Sequence, residues 1–206
     1  MAKGKLIVFE GGEFVGKTSQ LKMLAARLEE RGLRVCVTKE PGGTPRGLEL
    51  RARLFAGGLA PKEEVALFME DRRIHVVEVL RPALERGEII LCDRFSDSTI
   101  AYQHFARGLD RTWLEQEDVL ARGDLVPDFV IVLDMPPQLA FERAPGRGEK
   151  YTAFEQEEMA FHERVRAGFL ELAKANTHNH VVIDASLSRA DVSDTIWRFV
   201  EKNILL

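Results

Sequence analysis

The sequence predicts a single α/β domain with a five-stranded parallel sheet and helices on both faces of that sheet. Three observations predict this fold class: short apolar segments recur along the chain, helical segments separate them, and 206 residues suit one domain. Segments that are apolar on both faces are typical of parallel strands covered by helices. We therefore expect one domain over residues 1–206.

The predicted strands cover residues 6–10, 34–38, 89–92, 129–133 and 181–183. The predicted helices lie between and after these strands, over residues 17–31, 62–86, 154–175 and 189–202. The first helix repeats leucine on one face and stops at Gly32, while the second stops at Gly87 and is expected to kink at Pro82. Ligands of parallel sheets bind at the carboxyl ends of the strands. The residues that follow each strand are therefore the candidates for a functional site.

The composition excludes some classes of function. A formal net charge of −4 argues against a dedicated binder of DNA or RNA, although a few arginines in a cleft would still bind a small anion. Cys36 and Cys92 lie in predicted strands, where buried thiols are favoured over a disulfide or a metal pair. No apolar stretch approaches the ~20 residues of a membrane span, and no signal-peptide pattern precedes the first strand. We expect a cytoplasmic protein without a membrane partner.

The first strand runs into a glycine loop with the spacing Gly11-x-x-x-x-Gly16-Lys17-Thr18. Backbone N–H groups of such a loop, with a helix N-terminus behind them, bind phosphate, and the alternative is a chance glycine turn. Lys17 is expected to reach the β- and γ-phosphates, and the Thr18 hydroxyl is expected to hold Mg²⁺. The candidate ATP-binding residues are Gly11, Gly12, Glu13, Phe14, Val15, Gly16, Lys17, Thr18 and Ser19.

Two further strands are followed by polar residues. The second strand leads into KEPGGTP at residues 39–45, where two glycines and two prolines indicate a tight turn, or a plain loop if the segment is taken alone. The third strand leads into Asp93 and Arg94. Asp93 is a candidate for the Mg²⁺ site and Arg94 for a bidentate phosphate contact. The alternative is a local ion pair at a helix start.

In combination, these motifs resemble those of the thymidylate kinases, which are nucleoside monophosphate kinases of the P-loop class. The resemblance spans nearly the whole chain, in FEGGEFVGKTSQ, EPGGTP, LFMEDRRIHV, RPALERGEIILCDRFSDSTIAYQ, RGLD, PDFVIVLDMPP and FHERVRAGFLELA. Adenylate-kinase-like enzymes share the glycine loop but not the EPGGT, DRF and AYQ elements. The resemblance implies a P-loop kinase fold with a short lid at about residues 143–153. It also implies Mg²⁺-dependent transfer of the ATP γ-phosphate to dTMP and a homodimer.

The resemblance also implies roles for individual residues. Phe68 matches the aromatic residue that stacks on thymine, although without the resemblance it would be taken for a core residue. Arg72, at i+4 on the same helix face, matches the arginine that hydrogen-bonds the base. Arg94 and Arg51 match residues that contact the monophosphate. The other implied substrate-binding residues are Glu13, facing the sugar 3′-hydroxyl, Tyr102, disfavouring a 2′-hydroxyl, Gln103 and Thr99.

The chain departs from the family pattern at the transition-state arginine. The family places this arginine in the glycine loop or in the lid, and here those positions hold Phe14 and the pair Thr152-Ala153. Arg143, Arg147 and Lys150 remain as substitutes, and Arg143 and Arg147 join Lys17 and Arg94 as the catalytic candidates. Loss of such an arginine can lower the rate by about 10³-fold or more. A catalytically weakened nucleotide-binding protein and a kinase for a different nucleotide therefore stay open as alternatives.

Phe14 itself has two interpretations. If the loop requires a positive φ at this position, a phenylalanine costs ~1–2 kcal/mol relative to glycine. Otherwise Phe14 is only a bulky side chain that rests on the lid or on the adenine side of the site. The sequence does not choose between them.

Overall fold

The computed structural model describes residues 4–144 and 152–205. Five strands form one parallel sheet in the order β2-β3-β1-β4-β5. The strands are β1 (Lys5–Glu10), β2 (Val35–Lys39), β3 (Ile89–Asp93), β4 (Phe129–Asp134) and β5 (His180–Asp184). All five predicted strands are confirmed, and their ends differ from the prediction by at most one residue.

Nine α-helical segments are found in the described part of the chain. They are α1 (Lys17–Glu30), α2 (Pro45–Ala56), α3 (Pro61–His75), α4 (Arg81–Glu85), α5 (Ser96–Thr99), α6 (Arg111–Arg122), α7 (Pro137–Glu142), α8 (Met159–Ala175) and α9 (Arg189–Val200). Three π-helical segments continue α3, α5 and α9, over Val76–Leu80, Ile100–Ala106 and Glu201–Leu205.

Two predicted helices need correction. The predicted helix over 62–86 is a single run interrupted by the π-helical segment Val76–Leu80, which lies just before Pro82. At the end of this segment the N–H of Arg81 bonds to the carbonyl of Val76, five residues back, as in a π-helix. The next residue, Pro82, has no N–H to donate to the helix. The predicted helix over 154–175 begins only at Met159. Before it, Thr152 and Glu155 bond to each other's backbone N–H groups and form a separate turn.

The core lies on both faces of the sheet, because alternate residues of β1 point to opposite sides. Leu6 and Val8 pack with residues of α8 and of the two π-helical segments that continue α3 and α5. Ile7 and Phe9 pack with residues of α1 and α9. This arrangement confirms the predicted sheet with helices on both faces. It leaves the carboxyl edge of the strands as the place for a site.

The cysteine prediction is confirmed in part. Both thiols are free, and Cys92 is buried while Cys36 is half-buried. Burial raises the pKa of both thiols. Within the described residues, no helix combines the length and apolar character needed to cross a bilayer.

Candidate active site

A cleft of about 1010 Å³ opens at the carboxyl edge of the sheet. It is lined by the glycine loop after β1, the turn after β2 and the turn after β3, with α2 and α3 on one side. The loop after β5 closes the opposite end with Ala185 and Leu187. The parallel sheet therefore brings the three predicted motifs into one site.

The glycine loop has the backbone that a phosphate cradle requires. Gly11 has a φ of 136°, and a Cβ there would lie 2.4 Å from the carbonyl oxygen of Leu133. Gly16 has a φ of 95° and caps α1. Lys17 is only 7% exposed, and its ammonium donates to the carbonyl oxygens of Gly11 at 3.1 Å and Gly12 at 2.6 Å. Lys17 is thus held at the mouth of the loop.

The first interpretation of Phe14, a positive φ, is confirmed. Its φ is 59°, in the left-handed region that favours glycine. Its ring also meets the ring of Phe141 on α7 edge to face, with centroids 4.8 Å apart. Phe141 contacts His162 of α8 in turn, at 4.7 Å between centroids. The strained residue therefore packs on α7, which in turn contacts α8.

The candidate metal residues lie next to each other. The Thr18 hydroxyl donates to the Asp93 carboxylate at 2.8 Å, which joins the start of α1 to the end of β3. A hydroxyl and a carboxylate are hard oxygen donors of the kind that Mg²⁺ prefers. Among the described residues there is no cluster of three or more His, Cys, Asp or Glu side chains with metal-site geometry. Two protein oxygens suit a Mg²⁺ ion that takes its other ligands from water and phosphate.

Arg94 is the centre of a buried network that includes Glu13 and Tyr102. Its guanidinium donates to the Glu13 carboxylate at 2.8 Å and to the Tyr102 hydroxyl at 3.0 Å. Tyr102 donates to the same carboxylate oxygen at 2.6 Å. Burial alone would raise the pKa of Glu13, but the charges of Arg94 and Lys17 lower it to about 2. Glu13 is therefore ionised at every working pH.

Positive charge dominates the centre of the cleft. Burial, together with the charge of Arg94, lowers the pKa of Lys17 to about 8 and also lowers the pKa of Arg51. Burial and the charge of Arg51 lower the pKa of Lys39 as well. Asp93 opposes these shifts without cancelling them. Four basic side chains that repel one another in the free protein form a site that an anionic ligand stabilises.

The candidate base-binding residues lie at the α3 side of the cleft. Phe68 is half-buried, lines the cleft and lies 6.1 Å from the ring of Phe154. Thr99 and Gln103 are buried and also line the cleft. The Gln103 side chain hydrogen-bonds the carboxylate of Glu64, which lowers the pKa of Glu64 against the larger, opposite effect of its burial.

Arg72 is held more tightly than the sequence indicates. It is only 2% exposed, and its Nε donates to Glu40 at 2.8 Å while its Nη1 donates to Asp118 at 2.5 Å. Nη1 also donates to Thr99 at 3.2 Å. Burial would lower the pKa of Arg72, but Glu40 and Asp118 raise it overall. Its guanidinium therefore borders the cleft in one fixed orientation.

The remaining candidates differ in their positions. Arg51 lines the cleft, donates to the carbonyl of Pro41 at 2.9 Å and packs on the ring of Phe55. Arg143 donates to the carbonyls of Ala185 at 2.9 Å and Ser186 at 2.5 Å, in the loop after β5. Arg147 and Lys150 lie outside the described residues, as does most of the predicted lid.

Sequence reasoning missed several buried polar residues around the site. Glu10 and Ser98 bond to each other behind Arg94, and Glu40 and Asp118 flank Arg72. The only available signal was an acidic residue at the end of an apolar strand, as at Glu10. Such a residue needs partners, but the sequence does not name them.

The fold and this cleft together define a P-loop protein of the kinase class, with a phosphate-binding loop that faces a second basic cluster. The chain belongs to the thymidylate kinase family, since the sequence model described as "Thymidylate kinase" matches residues 9–196. A thymidylate kinase of Thermomicrobium roseum is 47% identical over 195 residues, which cover 94% of this chain and 93% of that protein. One from Deinococcus radiodurans is 43% identical over 204 residues, covering 98% of each chain.

Solved structures agree with this assignment. The crystal structure of thymidylate kinase from Ehrlichia chaffeensis superposes with a TM-score of 0.81. It is 32% identical to this chain, and the match covers 96% of this chain and 99% of that one.

Proposed function

We propose that this protein is a dTMP kinase, which transfers the γ-phosphate of ATP to dTMP and releases dTDP and ADP. One observation carries the proposal: in a member of the thymidylate kinase family, a phosphate loop with Lys17 and a second basic centre at Arg94 share one cleft. The donor phosphates bind the loop and the acceptor phosphate binds Arg94. Asp93 ends β3 directly before Arg94, and its carboxylate accepts from the hydroxyl of Thr18, the residue after Lys17.

The proposed reaction needs no general base. The second pKa of a phosphate monoester is about 6, so the acceptor phosphate is already a nucleophile at neutral pH. An oxygen of this phosphate attacks the γ-phosphorus, and the bond from that phosphorus to the bridging oxygen of ADP breaks. The work of the protein is to align the two groups and to stabilise their negative charge. Lys17 and Arg94 supply that charge.

The Mg²⁺ ion of the proposed reaction would be held by Thr18 and Asp93, whose oxygens lie 2.8 Å apart. When bound, Mg²⁺ supplies charge neutralisation on the β- and γ-phosphates. Lys17 would exchange its bonds to the carbonyls of Gly11 and Gly12 for bonds to phosphate. It would remain bonded to the γ-phosphoryl group during the transfer.

The acceptor site suits a thymine deoxynucleotide. Phe68 offers a ring face for stacking, and Arg72 offers a hydrogen-bond donor for a carbonyl oxygen of thymine, with Gln103 lining the same part of the cleft. Ionised Glu13 accepts from the 3′-hydroxyl of the sugar, and Tyr102 occupies the space that a 2′-hydroxyl would need. Arg51 adds a second contact to the monophosphate.

We further propose that the protein acts as a homodimer in the cytoplasm. Exposed apolar side chains support the dimer, among them Val77, Leu120 and Val126, which are 62%, 76% and 59% exposed. Free thiols at Cys36 and Cys92 support a reducing compartment. Light scattering of the purified protein tests the first statement, and a monomer mass at micromolar concentration contradicts it. Cell fractionation tests the second.

The proposed activity is tested by a coupled assay for ADP release with ATP, Mg²⁺ and dTMP. Controls contain dUMP, AMP or thymidine in place of dTMP. We expect turnover on the order of 1 s⁻¹ or faster, with dTMP clearly preferred. Turnover about 10³-fold lower, with dTMP still bound, would instead indicate a weakened nucleotide-binding protein. A preference for thymidine or another nucleotide would indicate a kinase with a different acceptor.

A further inference from the structure

Glu10 is an acidic side chain in the core of the protein with no part in the reaction described above. It ends β1, is 0% exposed and faces the turn that follows β3. Its Oε1 accepts from the backbone N–H of Phe95 at 2.8 Å and from that of Ser98 at 3.2 Å. Its Oε2 accepts from the Ser98 hydroxyl at 2.6 Å. Burial removes water from a carboxyl group, and this costs free energy unless hydrogen bonds compensate. The three bonds that Glu10 accepts supply this compensation.

The bonds of Glu10 lead through Ser98 to Arg94. The Ser98 oxygen that donates to Glu10 also accepts from Nη1 of Arg94, at 3.1 Å. The same Nη1 donates to the carbonyl of Gly11 in the phosphate loop at 3.0 Å. Since the single hydroxyl proton of Ser98 is directed at Glu10, the lone pairs of Ser98 remain for Arg94. Glu10 thereby determines which way the hydroxyl faces.

The backbone of Arg94 depends on the same carboxylate. Its φ is 73°, a left-handed conformation that is unfavourable for a residue with a Cβ. Surrounding bonds must hold such a residue in place. The N–H of Arg94 bonds to the carbonyl of Phe9 at 2.9 Å, and the next N–H, that of Phe95, bonds to Glu10. Both bonds tie the strained turn to the end of β1.

We propose that Glu10 is a positioning residue, which acts through Ser98 to aim the guanidinium of Arg94 at the acceptor phosphate. The proposal rests on the proposed function, in which Arg94 binds the monophosphate of dTMP. Glu10 and Ser98 connect β1 to the turn after β3, and these two elements also carry the phosphate loop and Asp93. The orientation of Arg94 is therefore fixed relative to the donor site.

The test compares the affinities for dTMP and for thymidine, which lacks the phosphate. Ser98→Ala removes the hydroxyl between the two side chains, and Glu10→Gln places an NH₂ group where Ser98 now donates. We expect each variant to bind dTMP about 10-fold or more weakly and to bind thymidine within about 2-fold of the wild type. Titration calorimetry at pH 8.5 measures both affinities. Burial and the charge of Asp97 raise the pKa of Glu10 to about 8, so the wild-type carboxyl is mostly ionised at this pH.

Matched controls separate positioning from a general loss of structure. Ser98→Thr keeps the hydroxyl and should restore the dTMP affinity. Ser193→Ala removes another buried serine, on α9, and Asp128→Asn changes the carboxylate that accepts from the N–H of Leu6 at the other end of β1. Both controls should leave the ratio of dTMP to thymidine affinity unchanged. A thermal melt of each variant verifies that it is folded.

A double-mutant cycle decides whether Glu10 and Ser98 act through Arg94. In an Arg94→Ala background, Ser98→Ala should have no further effect on dTMP binding. A further loss in that background would overturn the proposal, as would equal losses of dTMP and thymidine affinity in Ser98→Ala alone. The proposed function fails separately, if the wild type neither phosphorylates dTMP nor prefers it over thymidine. An active wild type with an unchanged affinity ratio in Ser98→Ala refutes only the role of Glu10.

Discussion

Replacing Phe14 with alanine should destabilise this protein more than replacing it with glycine. At most positions glycine is the more destabilising of the two residues. Phe14 combines a φ of 59° with an edge-to-face contact to Phe141 at 4.8 Å. Both substitutions remove the ring and its contact. Only glycine also relieves the left-handed backbone, because it has no Cβ.

The magnitude follows from two opposing terms. A residue with a Cβ pays ~1–2 kcal/mol for a left-handed conformation, which glycine does not pay. Glycine has a more flexible unfolded state, which costs about 0.4–1 kcal/mol relative to alanine. We therefore expect Phe14→Gly to be more stable than Phe14→Ala by roughly 0.5–1 kcal/mol. The ring contact is worth about 0.5–1.5 kcal/mol beyond simple burial, so it offsets much of the strain in the wild type.

Urea denaturation of the single and double variants measures these terms. Phe14→Ala and Phe141→Ala should show a coupling free energy of about 1 kcal/mol. Phe199→Ala is the matched control, since its ring meets Phe129 at 5.3 Å on regular secondary structure. Combined with Phe14→Ala, it should be additive within about 0.3 kcal/mol. The reasoning is refuted if alanine at position 14 is as stable as glycine, or if Phe14 and Phe141 are additive too.

Three further predictions concern the site and its surroundings. The pKa of Lys17 is about 8 in the free protein, and a bound triphosphate favours its charged amine. The value of kcat/KM for ATP should therefore fall as the pH rises through about 8. A flat profile of kcat/KM between pH 7 and 9.5 would contradict this prediction. Burial, followed by the charge of Glu40, raises the pKa of Asp71 from 3.8 to about 6; Asp71→Asn keeps an acceptor for the N–H of Gly42 and should stabilise the protein by at most about 3 kcal/mol. That gain should be full above about pH 6 and absent below about pH 4, because the protonated wild type carries no penalty; equal stabilisation at both pH values in urea titrations would be inconsistent with it. Phe68→Ala should weaken dTMP binding about 10-fold or more through lost stacking, while an unchanged affinity in calorimetry would make Phe68 a core residue only.

The sheet and the phosphate loop were predictable because each depends on local sequence. An apolar run such as β1 or β4 needs both faces covered, and the spacing from Gly11 to Thr18 fixes a turn followed by a helix. The start of α8 was predicted wrongly for the opposite reason. Phe154 is apolar and suits a helix, but the bonds between Thr152 and Glu155 form a separate turn ahead of Met159.

Most polar pairs of the site were not predictable, because their partners are far apart in sequence. Arg72 bonds to Glu40, 32 residues away, and to Asp118, 46 residues away. Glu10 and Ser98 are separated by 88 residues. No periodicity connects such positions, and they meet only because β1, β2 and β3 end at one edge. Sequence therefore identified candidates that line the cleft, such as Arg72, and missed the buried partners that hold them in place.

The departure from the family pattern at Phe14 and Ala153 affects one half of the site. The proposed acceptor half contains Arg94 and Arg51, and both line the cleft. Burial, followed by the charge of Arg94, already lowers the pKa of Arg51, so a bound phosphate would relieve an existing cost and would not need another cation. In the proposed reaction Arg143 would serve the donor side, and to reach the phosphates it would have to give up its bonds to the carbonyls of Ala185 and Ser186. The absence of the family's transition-state arginine should therefore lower kcat and leave the affinity for dTMP high.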